Sequence, residues 1–169
     1  TGLGLMASGC GGPQGAGKAG GGAEASSSQR LKACFSNAGI QSTWCALGKT
    51  TAELWGKLLN VDITWVDGEF DPEKQRNQIE SVLNRNWDFC CFQAVQIDSL
   101  AGAVKKLKQR GVPVISMDTL LVSMDQMRDT GVWLEVTPDQ VFMGEQSTQY
   151  LMEKINGKGK VIHIGGLSA

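Results

Sequence analysis

Four side chains carry most of the chemistry this sequence could perform: Asn37 in "FSNAGIQSTW", Trp44 at the end of that stretch, Gln93 in "CCFQAVQID" and Asp118 in "PVISMDT". A carboxylate accepts two hydroxyl protons, a primary amide both donates and accepts, and an indole face covers apolar C–H surface. Together they suit a neutral, hydroxyl-rich ligand. Asp118 is the strongest of the set. It closes the apolar run "RGVPVISM", where a desolvated charge costs free energy unless it is paired or left at an opening. Each residue has a structural alternative: Asn37 as a turn former, Trp44 in an apolar helix stripe, Gln93 as a loop residue, Asp118 capping a neighbouring loop. Asp98 reads better as a helix N-cap than as a ligand contact.

The sequence does not assemble a catalyst. The single histidine, His163, falls in the apolar run "KVIHI" and reads as a satisfied strand residue, so no Ser–His or Cys–His pair is at hand. "GPQGAGKA" approaches a phosphate-binding loop, but Ala19 stands where a hydroxyl must reach magnesium, and no strand precedes it. Cys34, Cys45, Cys90 and Cys91 lack the paired CxxC spacing of a metal site. No catalytic residue, metal or cofactor is therefore expected. The cysteines read as buried free thiols, or, in an exported protein, as a source of one disulfide between Cys34 and Cys90 or Cys91. Net charge is −1 with no Lys/Arg block, which excludes a nucleic-acid partner on electrostatic grounds.

The elements that must position these residues follow from pattern. A chain of 169 residues can bury one domain core, or one core and the start of another. From Leu31 onward short apolar runs alternate with longer helical patterns. This is the signature of an α/β fold with a Rossmann-like open parallel sheet and helices on both faces. Strands are predicted at 31–35, 61–66, 88–92, 112–117, 132–136 and 160–164. Trp44, Leu47, Thr51, Leu54, Trp55 and Leu58 recur at helical spacing and predict a helix whose stripe covers a sheet face. Asp71 and Pro72 signal a second helix start, and Gly111 the stop of a third helix carrying Leu100, Val104 and Leu107. A further helix starts near Pro138 and Asp139. Such sheets bind ligands at the carboxyl ends of their strands, which is where Asn37, Gln93 and Asp118 fall.

The head is different. Ten of the 22 glycines precede Ser28, and no large apolar residue follows Met6 there. "TGLGLMASGCGG" sets small residues before Cys10, as a signal peptidase requires. The stretch resembles the tail of a bacterial lipoprotein signal, with Cys10 as the lipidated residue, although Ala7 replaces the usual leucine and no basic front end is present. Residues 11–30, rich in Gly, Ala and Ser, suit a flexible tether.

"FSNAGIQSTW", "FDPEKQRNQIESVLNRNWD", "AVQIDSLAGAVKKLKQRGVPVISMD" and "TPDQVFMGEQSTQYLMEKINGKGKVIHIGG" follow in the order and spacing of ribose-type periplasmic sugar-binding proteins, which this chain resembles from about Leu31 to Gly166. The resemblance implies a type I periplasmic-binding fold: two α/β lobes that close on a sugar and deliver it to an ABC permease. It places ligand contacts at Asn37, Trp44 and Asp118, with Gln93 a weaker match. Cys45 stands where many relatives carry arginine. The implied organisation is a lipoprotein-signal remnant (1–10), a tether (11–30), the N-terminal ligand-binding lobe (31–136) and the beginning of a second lobe (137–169), an N-terminal fragment of the whole. The expected protein is exported, membrane-anchored through a lipid on Cys10, and a monomer when full length. Two alternatives share the core: a LacI-like effector-sensing domain, for which no helix-turn-helix precedes Leu31, and a sugar sensor for a membrane signalling receptor.

Overall fold

The computed structural model describes residues 29–165. Cys10 and the tether up to Ser28 lie outside the described residues. The elements are β1 (Leu31–Asn37), α1 (Thr43–Leu58), β2 (Val61–Asp67), α2 (Pro72–Val82), β3 (Phe89–Phe92), α3 (Ala101–Gln109), β4 (Val114–Met117), α4 (Met127–Thr130), β5 (Val132–Val136) and α5 (Gln140–Lys154). The strands form one sheet in the order β2-β1-β3-β4-β5, with every neighbouring pair parallel. The chain winds outward in one direction from β1 to β2 and in the other from β3 to β5. The reversal leaves a crevice beyond the ends of β1 and β3.

Local chemistry sets the boundaries. Asp71 accepts from the N–H groups of Glu73 and Lys74, and Pro72 occupies the first turn where its missing N–H is harmless. Asp139 caps α5 by accepting from Phe142 N. Gly111 follows α3 at φ +72°, a left-handed stop that a Cβ would strain. Asp98 is not the cap expected of it. It has φ +68°, donates its N–H to Leu121 O, and precedes a helix whose N-cap position, Leu100, has no side-chain bond.

Alternate residues of each strand face opposite ways. Cys34, Cys90, Phe92 and Val114 point to one face, where Ile79, Val82 and Leu83 of the α2 region and Leu100, Val104 and Leu107 around α3 complete the buried core. The other face carries a row in register across the sheet: Trp65, Phe35, Cys91, Ile115 and Leu134. Phe35 stacks on Trp65 with ring centroids 6.0 Å apart and meets Phe89 edge-on at 6.2 Å.

Helix α1 lies on this second face, but not by the expected stripe. Trp44, Leu47, Leu54, Trp55 and Leu58 are all exposed, whereas Cys45 and Gly56 are buried and Ala52 is half-buried. Residues 45, 52 and 56 share a helical face, and their small side chains let the helix approach the sheet. A Cβ on Gly56 would lie 2.7 Å from Ile63 Cδ1 and 3.1 Å from Val61 O. Periodicity reveals a stripe; it does not say which face meets the sheet. On the β4 and β5 side the face is open, with Leu134 49% and Val136 56% exposed.

The sixth predicted strand is absent. Residues 160–164 have no strand assignment and pair with none of the described strands, and a strand exists only through its ladder. His163 is therefore exposed and outside any strand, contrary to the expectation of a satisfied core histidine. Helix α5 buries none of its residues.

Candidate functional site

The carboxyl ends of β1, β4 and β5, together with the first turns of α1, surround a hollow of about 590 Å³ whose lining includes Asn37, Trp44, Gln93 and Asp118. All four residues singled out from sequence thus meet at one place. Phe35, Trp65 and Met117 form the apolar floor, and neither lysine nor arginine is among the lining side chains.

Asn37 ends β1 and is buried. Its Nδ2 donates to Cys45 O at 2.9 Å, while Oδ1 is buried without a hydrogen-bond partner. Such an atom costs about 1–3 kcal/mol until something donates to it. Gln93 follows β3. Its Nε2 donates to Asp118 Oδ2 at 2.5 Å, and its Oε1 accepts from Ala38 N and Cys45 Sγ, each at 3.5 Å.

Asp118 follows β4 at φ +60°, in the left-handed region that aspartate enters more readily than most residues. The conformation is fixed on both sides: Asp118 N donates to Val136 O at 2.8 Å, and Thr137 Oγ1 donates to Asp118 O at 3.0 Å. This answers why an apolar strand stops at a charge. The carboxylate is turned out at the strand's end and shares one oxygen with an amide. Trp44, 62% exposed, stands in the first turn of α1, which Ser42 caps by accepting from Cys45 N at 3.2 Å.

Sequence reasoning missed Gln75. It is fully buried on α2, and its Nε2 donates to Ser36 Oγ (2.9 Å), Asn37 O (3.2 Å) and Gln93 O (2.9 Å), while Oε1 accepts from Val95 N (3.0 Å). One amide thereby fastens the ends of β1 and β3 to the helix behind them. The clue was available: Gln75 shares the inward face of α2 with Ile79 and Val82, an uncharged polar residue at a core position.

The cysteines are free thiols, and their strands are neighbours, with Cys34 opposite Cys90 in register. A hydrogen bond with Cys34, reinforced by burial, raises the Cys90 thiol far above its ordinary range. Burial, and then Cys34, push the Cys91 thiol up to about 12. Neither is a thiolate nucleophile near neutral pH. Among the described residues no group of His, Cys, Asp and Glu could hold a metal ion, and no helix is long and apolar enough to cross a membrane.

Residues 33–169 match the family described as periplasmic binding protein domain. The chain belongs to that family. Its description is of binding proteins of an extracytoplasmic compartment, not of enzymes. A xylitol-binding protein of Mycolicibacterium smegmatis is 27% identical over 125 residues, covering 74% of this chain and 34% of that protein. The periplasmic binding component of the arabinose ABC transporter of Shewanella sp. ANA-3, bound to L-arabinofuranose, superposes with a TM-score of 0.66 at 21% identity. The match covers 75% of this chain and 41% of that one. A Caulobacter myo-inositol binding protein bound to myo-inositol gives 0.64 at 17% identity, covering 76% and 42%. These structural likenesses show the periplasmic binding protein fold. The chain spans well under half the length of each.

Proposed function

We propose that this chain supplies one wall of a cleft that binds a neutral sugar or polyol, in a protein that hands the ligand to an ABC permease. The observation that carries the reading is Asn37 Oδ1, a buried acceptor without a partner, opening on the same hollow as Asp118 and Trp44. Hydroxyl hydrogens of a polyol satisfy Asn37 and Asp118, and the Trp44 indole covers the ligand's C–H face. The sugars and polyols named with the relatives support the same ligand class. The role is binding, not catalysis.

Residues 31–136 form the first lobe in this reading, and 137–169 begin the second, which supplies the opposing wall. The fully exposed α5 supports that division. Export and a lipid on Cys10 would hold the protein beside its permease as a monomer. Isothermal titration of the full-length protein with pentoses, hexoses and sugar alcohols tests the function. Micromolar or tighter binding of one of them, lost in Asn37→Ala or Asp118→Ala, is expected; no binding across the panel overturns the reading.

A further inference from the structure

We propose that Gln93 is a positioning residue that makes this wall of the cleft acceptor-only, so that the site takes neutral polyols and rejects the corresponding sugar acids. The inference rests on the sugar-binding reading and deepens it.

Gln93 was expected to touch ligand. Its side chain is instead committed at both ends and only 8% of the residue is exposed. The network fixes which end of the amide is which. Oε1 faces two donors, Ala38 N–H and Cys45 S–H, and Nε2 faces the Asp118 carboxylate. A flipped amide would set oxygen against carboxylate and N–H against N–H, losing all three contacts. Gln93 therefore crosses from the β1–α1 junction to the end of β4 and takes up Asp118 Oδ2. The other carboxylate oxygen remains for a ligand.

The donors nearby are consumed by the same network. Asn37 Nδ2 is bonded to Cys45 O and the Cys45 thiol to Gln93, so the unspent groups are Asn37 Oδ1 and the second Asp118 oxygen. Both are acceptors, and no lysine or arginine lines the hollow. A hydroxyl can donate to either atom. An ionised carboxylate on the ligand can donate to neither, and its charge meets that of Asp118 without compensation.

The test compares wild-type full-length protein with Gln93→Glu and Gln93→Leu, using D-glucose, L-arabinose, xylitol and myo-inositol against glucuronate and xylonate. Wild type is expected to prefer its best neutral ligand over the matching acid by at least about a hundredfold. Gln93→Leu should weaken neutral-ligand binding at every pH. Gln93→Glu sets two carboxyl groups at hydrogen-bonding distance. They hold one proton between them in acid and repel each other when both are ionised. Its affinity should therefore recover by about tenfold or more as pH falls from about 8 to about 5, relative to wild type over the same range. A structural role alone would not give that pH profile, and because one folded variant supplies both arms, misfolding cannot mimic it.

Acid ligands bound as tightly as neutral ones, or a Gln93→Glu variant that follows wild type at every pH, would overturn the inference. A ligand-free signal separates it from the reading beneath it. The Gln93 side-chain amide protons should give a displaced, slowly exchanging NMR resonance that reverts in Asp118→Ala. An ordinary free-amide resonance in wild type removes the anchor. A displaced resonance in a protein that binds no polyol keeps the anchor and removes the sugar.

Discussion

The Gln75 side-chain amide donates to the main-chain carbonyl of Gln93 at 2.9 Å, tying helix α2 to the end of strand β3 across the sheet. The same amide holds Ser36, Asn37 and Val95, so its loss strands several buried groups at once. Each such group costs about 1–3 kcal/mol when left unmade. Gln75→Leu, close in volume but unable to bond, is expected to lower the unfolding free energy by about 3 kcal/mol or more. Urea denaturation measures this, and a loss below about 1 kcal/mol would mean that the strand ends need no such tie.

Asp118 calls for two variants because its backbone and its carboxylate are separate demands. Asn tolerates the left-handed backbone nearly as well as Asp, whereas Ala does not. Asp118→Asn should therefore melt close to wild type and Asp118→Ala measurably lower. A hydrogen bond to a charged group contributes about 1.5–3 kcal/mol, so both should weaken polyol binding by roughly ten- to a hundredfold. Retained affinity with a lowered melting temperature in both would make Asp118 a loop cap.

Trp44 separates the site from the core more simply. An indole that is mostly exposed contributes little to folding, so Trp44→Ala should leave the melting temperature nearly unchanged. Ligand affinity should fall about tenfold or more, since an aromatic face over a sugar is lost. Calorimetry beside a thermal melt reads both. A large drop in melting temperature would return Trp44 to the apolar stripe.

The buried thiols set an alkaline limit. Cys91 keeps its proton up to about pH 12 in the folded protein, against an ordinary value of 9.0, so the unfolded chain releases a proton first as pH rises. Stability is fully present below about pH 9 and declines above it, by up to about 1.4 kcal/mol per pH unit for one thiol. Cys90 acts in the same direction. Denaturation midpoints at about pH 8 and pH 10 should converge in Cys91→Ala relative to wild type. An unchanged difference would assign the decline to other groups.

Some of this was legible before any coordinates. The caps at Asp71 and Asp139, the stop at Gly111 and the five parallel strands follow from short-range chemistry, and the meeting of Asn37, Trp44, Gln93 and Asp118 follows from where strands end in such a sheet. Two readings failed for one reason. Which side of α1 meets the sheet depends on how closely Gly56 lets it approach Ile63, and whether 160–164 forms a strand depends on a partner strand. Both are long-range facts. The roles of Gln93 and Gln75 were hidden similarly, because an amide looks the same in sequence whether it faces a ligand or bridges two strands.

The left-handed backbone at Asp118 also bears on how this protein can change through inheritance. Either aspartate codon becomes an asparagine or a glycine codon by one nucleotide change, and these are the two residues that enter this backbone region most freely. Both discard the charge. The mutational steps that spare the fold at this position are therefore steps that silence its acceptor, so a lineage can lose ligand binding here while keeping a stable, secretable protein.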